Sequence, residues 1–139
     1  MLRARDWLRQ ALRDLEHAKK SMRLGDYEWA CFSAQQAGEK ALKAVFHAMG
    51  SEAWGHDLVR LVLGLKEKGL EVPRKLYEYA ALLDKHYILA RYPNGFTEGY
   101  PGEHYTRLDA ELCIKAGEEI VEWCKNIIEK KQKGDTGKG

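Results

Sequence analysis

Proline is scarce in this chain, and so is anything that would build a membrane span. Three prolines stand among 139 residues, at Pro73, Pro93 and Pro101. None interrupts the periodic stretches before residue 50 or after residue 106, so long unbroken helices are allowed. No apolar run approaches the roughly 20 residues a transmembrane helix needs. The opening MLRARDWLRQ carries charges where a secretion signal requires an apolar run, and a cytoplasmic location with no membrane association is expected. Cys31, Cys113 and Cys124 are an odd number without metal-ligand spacing; they read as buried reduced thiols, with no metal. Phosphate-cradling glycine loops, G-x-S-x-G and H-E-x-x-H are all missing, and no cofactor is expected. The formal net charge is only +2. That excludes a chain built mainly to coat nucleic acid, but leaves room for a local basic patch.

What is present is helical periodicity. Ala4, Leu8, Ala11, Leu15, Ala18 and Met22 recur at steps of three and four, predicting a first helix over Leu2–Leu24. Gly25 suits the residue past its end and Asp26 the N-cap of the next, so the first two helices form an antiparallel pair. The second runs from Asp26 to Met49, with Tyr27, Ala30, Cys31, Ala34, Ala41, Leu42, Val45 and Met49 on one apolar stripe. Asp57 is the N-cap candidate for a third helix, Leu58–Lys68. Pro73 fits the first turn of a fourth, reaching Ala90. The segment RYPNGFTEGYPGEHYT breaks the pattern with two prolines, three glycines and four aromatics. Thr106 and Asp109 resemble a capping box, opening a fifth helix with Leu112, Ala116, Ile120, Trp123 and Ile127 on one face. The fold expected is all-α: an antiparallel up-and-down bundle of about five helices. Residues 1–130 form a single domain, and 131–139 a flexible polar tail. Gly38 lies inside a helix, where glycine costs about 1 kcal/mol relative to alanine, so it marks a close helix crossing or backbone access for a ligand.

Two constellations carry possible chemistry. Gln35, Gln36, Glu39, Lys40 and Lys43 lie off the apolar stripe, and Gln36, Lys40 and Lys43 follow one another along one helix face. Amides beside two ammonium groups suit a phosphate or nucleotide; equally, i,i+4 pairs on a solvated face produce the same spacing. The second is Arg91-Tyr92-Pro93, followed by Phe96, Tyr100, His104 and Tyr105. Arginine amid aromatics can hold phosphate while bases stack on the rings, or the rings can pin a long loop to the bundle.

The run AQQAGEKALKAVFHAMG, then His56-Asp57-Leu58, Leu61 and Arg91-Tyr92-Pro93, resembles the HEPN domain family. The resemblance spans about Leu2 to Lys130. It implies an up-and-down helical bundle, often a homodimer, commonly encoded beside a small MNT-type nucleotidyltransferase in a toxin–antitoxin-like module. Some members of the family are RNases, others nucleotide-binding or structural. The RNase branch places a histidine four to six residues after an arginine, joining a cation for phosphate to an acid/base group. Here the corresponding positions after Arg91 are Phe96, Thr97 and Glu98. His104 lies further on and His86 precedes the arginine, so the motif is not intact. The reading that follows is a nucleotide- or RNA-phosphate-binding protein with Gln36, Lys40, Lys43, Arg91 and Tyr92 as ligand contacts. The alternatives are a metal-independent RNase toxin using Arg91 with His104 or His86, and a dimeric scaffold without catalysis.

Overall fold

The computed structural model describes residues 2–137, with side chains over 3–134. Five helices of ten residues or more account for most of it: α1 (Leu2–Arg23), α2 (Tyr27–Ala48), α3 (Leu58–Glu67), α4 (Arg74–Asp84) and α7 (Arg107–Gly137). Between α4 and α7 lie two one-turn helices, α5 (His86–Leu89) and α6 (Pro101–His104), and a 3-10 turn at Pro93–Gly95. No strand occurs among the described residues.

The turn from α1 to α2 is tight for a local reason. Gly25 takes φ +84°, its N–H donates to Met22 O, and Asp26 N–H donates to Ser21 O. This pattern satisfies the last carbonyls of α1 and folds α2 back along it. Asp57 caps α3 by accepting from Arg60 N–H. Thr106 N–H donates to Asp109 Oδ2 at 2.8 Å, and Asp109 N–H reaches back to Thr106 Oγ1 at 3.4 Å. Aspartate thus closes the capping box usually closed by glutamate.

Two expectations need adjustment. The fourth helix does not run unbroken to Ala90; it is interrupted at Lys85, which keeps right-handed angles, so the sequence pattern reads through the break. On α7 the buried apolar side chains are Ala110, Cys113, Ile114, Ala116, Ile120, Val121, Cys124 and Ile128, while Leu112 is exposed. Helical steps of three and four fit either stripe. The last helix, α7, continues through Gly137; positions 138 and 139 of the expected tail lie outside the described residues.

α2 is central. It packs against α1, α3, α4, α5, α6 and α7, and its buried residues include Ser33, Gln35, Gly38, Glu39 and Lys43 as well as its apolar stripe. A helix buried around much of its circumference must be thin, which explains Ala30, Ala34, Ala37, Ala41 and Ala44, all wholly buried. Gly38 marks a crossing. A Cβ there would lie 2.8 Å from Leu58 Cδ2, 3.3 Å from Leu83 Cδ1 and 3.6 Å from Ile120 Cδ1.

Candidate functional site

The polar row on α2 turns inward, and it clasps the segment that starts α3. Gln35 is fully buried, and its Nε2 donates to His56 O at 3.0 Å. Gln36 Nε2 donates to Gln35 Oε1 at 2.8 Å. Glu39 is buried and accepts from Lys43 Nζ at 3.0 Å and from His56 Nδ1 at 2.9 Å. Lys40 pairs with Asp14 of α1. With Leu58 against Gly38, the QQAGEK and HDL segments are the two halves of one joint. Each buried polar group in it has a partner, as burial demands.

A second carboxylate completes the joint. Asp84, at the end of α4, accepts from Leu58 N–H at 2.7 Å and from Val59 N–H at 3.0 Å. Burial pushes its carboxyl up to about 6, against those two donors, and the neighbouring Asp57 pushes the same way. Asp57 moves in the opposite direction. Burial opposes it, but the Arg60 N–H and the Asp84 side chain hold it below the usual carboxylate range. His56, Asp57, Asp84, Lys85, Tyr87 and Ile88 line an open cavity of about 310 Å³ beside the joint.

Arg91 sits at the same end of the bundle. Its guanidinium carbon lies 4.4 Å from the ring centre of Phe32, 4.5 Å from Tyr87 and 5.1 Å from Tyr92. Its Nε donates to Tyr87 O at 2.8 Å. Rings of this kind attract a cation through their quadrupole, by about 0.5–1 kcal/mol each at exposed sites, and here they hold the guanidinium in place. Among the described residues no carboxylate forms an ion pair with it. His56 stacks on the same Tyr87 ring, centroids 4.8 Å apart and planes 17° from parallel. Glu39 therefore orients a histidine that shares a ring with Arg91, and the His56 side chain is still 55% exposed.

The sequence-predicted site residues separate into groups. Arg91 and Tyr92 come together, joined by Phe32, Tyr87 and His56. Gln36, Lys40 and Lys43 belong to the joint, with both lysines already paired to carboxylates of the same chain. His86 Nδ1 is bonded to Tyr105 Oη at 2.7 Å. His104 donates from Nε2 to Glu98 O at 2.6 Å and stacks on Phe96 at 4.3 Å. Neither histidine is joined to Arg91 by a hydrogen bond or ring contact. Sequence reasoning missed His56 as a member of the site, having used His56-Asp57-Leu58 only as a helix start; the polar setting SEAWGHD was the available signal. An arginine and a carboxylate-oriented histidine beside aromatic rings can neutralise phosphate charge, stack a base and move a proton.

Comparison with known proteins agrees with this architecture. The HEPN domain family matches residues 4–127. A Methanocaldococcus jannaschii protein named "Putative toxin MJ1304" is 31% identical over 140 residues, covering 92% of this chain and 90% of its own. The crystal structure of TT1696 from Thermus thermophilus superposes with a TM-score of 0.86 at 47% identity, covering 94% of this chain and 99% of that one. ST0689, described as an archaeal HEPN homologue, gives a TM-score of 0.77 at 39% identity, covering 90% and 97%. A HEPN domain protein of Thermotoga maritima gives 0.72 at 38%, covering 89% and 98%. The all-helical bundle, the QQAGEK–HDL joint and these matches agree: the chain belongs to the HEPN domain family.

Proposed function

We propose that this protein binds the phosphate of a nucleotide or of RNA through Arg91, with Tyr92 and Tyr87 as stacking surfaces, as one component of a toxin–antitoxin-like module with a small nucleotidyltransferase. The observation that carries the proposal is the state of Arg91: held among three rings, with only Nε engaged by Tyr87 O. Its terminal nitrogens suit a bidentate contact to a phosphate. In this reading Gln36, Lys40 and Lys43 act from behind the site. They hold α2 to His56 and α1, and their charges are neutralised by Glu39 and Asp14. The toxin name of the Methanocaldococcus jannaschii relative supports the module. A homodimer belongs to the same proposal, and Leu108 and Leu112, exposed and one turn apart on α7, are apolar surface such a dimer could cover.

Calorimetry with ATP and with short RNA tests binding, on the protein alone and with a co-expressed nucleotidyltransferase. Arg91→Ala is expected to abolish the heat of binding, and Lys40→Ala to leave it. No binding by either the protein or the complex would refute the proposal.

One observation favours a second reading, metal-independent RNA cleavage. His56 is oriented by Glu39 and shares the Tyr87 ring with Arg91, so it is a better acid/base partner for Arg91 than His86 or His104. Cleavage of labelled RNA in EDTA, lost in both Arg91→Ala and His56→Ala, is the outcome this reading expects. Equal cleavage by wild type and variants would remove it.

A further inference from the structure

Three groups with affinity for soft metals meet inside the bundle. Cys31 comes from α2, Cys113 from α7 and His86 from α5, and one ligand atom of each lies within 4.8 Å of the other two. Both cysteines are buried and His86 is partly exposed, so an ion has a way in from the histidine side. Nothing in the sequence spacing hints at this, because the two cysteines lie near opposite ends of the chain. Cys124, the third cysteine, is buried and stands apart from the cluster.

We propose that Cys31, His86 and Cys113 form a binding site for a zinc-class divalent ion. The donor set decides the class of metal. Two sulfurs and an imidazole suit thiophilic ions such as Zn2+ and give nothing to Mg2+ or Ca2+, which take oxygen. Charge decides the oxidation state. Two thiolates cancel a divalent ion, so the loaded site is neutral, as a buried site should be. The histidine is already set for the task. Its Nδ1 is bonded to Tyr105 Oη at 2.7 Å, which leaves Nε2 for the ion. A ligating histidine is commonly oriented in this way, through its second nitrogen. Cysteine sulfur binds metal as thiolate, so loading requires both cysteines as thiolates and releases to solvent whatever thiol protons they still carry. A further position of the tetrahedron is left for a small ligand from solvent. The loaded site would tie α5, the helix that carries Tyr87, to the two long helices α2 and α7.

The test is titration of the reduced, full-length protein with Co2+, followed by displacement with Zn2+. The expected result is a thiolate-to-cobalt charge-transfer band with tetrahedral d–d bands, saturating at one ion per chain and lost on adding zinc. The bands are lost in Cys113→Ser and unchanged in Cys124→Ser. Tyr105→Phe should weaken metal affinity about tenfold with the spectrum retained, which keeps the test informative if Cys113→Ser folds poorly by circular dichroism. Absence of the bands in wild type would overturn the proposal, as would bands that survive Cys113→Ser. Mass spectrometry showing that the cysteines resist metal but form a Cys31–Cys113 disulfide, with loss of two hydrogens, would also overturn it.

Discussion

Replacing Gly38 with alanine sets two effects of known size against each other. In an exposed helix the change stabilises by about 1 kcal/mol, because alanine is the better helix former. Here the new methyl would lie 2.8 Å from Leu58 Cδ2 and 3.3 Å from Leu83 Cδ1. Both leucines are wholly buried, so neither side chain can swing into solvent. Forcing an extra carbon into a packed interior costs about 1–3 kcal/mol. The net expectation is destabilisation of about 1 kcal/mol, seen as a fall in Tm of about 4 °C for a chain of this size. Urea denaturation of Gly38→Ala, Leu58→Ala and the double variant separates the terms. Leu58→Ala alone should cost about 2–5 kcal/mol. In that background Gly38→Ala should become stabilising, because the methyl enters the space that Leu58 vacates. If Gly38→Ala stabilises wild type by about 1 kcal/mol, or has the same effect in both backgrounds, Leu58 does not pack against Gly38 as tightly as described.

The remaining predictions concern the charges around that joint. Glu39→Gln leaves Lys43, only 10% exposed in its side chain, without its carboxylate, and should cost about 3 kcal/mol. Glu39→Gln with Lys43→Met should recover most of it in the same denaturation assay. Asp84 binds its proton more tightly folded than unfolded, so between its ordinary 3.8 and about 6 the folded state holds the extra proton. Stability therefore falls as pH rises through that window and levels off above it. Carboxyl NMR should give Asp84 an apparent value near 6, and Asp57→Asn should lower it and flatten the slope. A slope of opposite sign would contradict the burial of Asp84.

The helices were legible in the sequence because their signals are local: the three-and-four spacing of α1 and α2, Gly25 after α1, and Thr106 with Asp109 before α7. The break at Lys85 was not, since no proline or glycine stands there. The burial of Gln35, Glu39 and Lys43 was not legible either. Periodicity sorts residues by polarity, and a helix that contacts six neighbours buries polar groups wherever they find partners. Gly38 was the sign that something crossed closely, but not what. The site divided in the same way. Arg91 and Tyr92 stood out because arginine beside aromatics is a local pattern. His56 and Phe32 reach the site, and Cys31, His86 and Cys113 meet each other, only through tertiary packing.

The direct test of the functional account is the affinity of this protein for ATP and short RNA with Arg91 intact, changed to lysine and changed to alanine. A charge-assisted hydrogen bond contributes about 1.5–3 kcal/mol, so Arg91→Ala should weaken binding at least about tenfold. Arg91→Lys should recover little of it, because an ammonium makes a point contact where the guanidinium makes two. An unchanged Kd in Arg91→Ala would contradict the central claim.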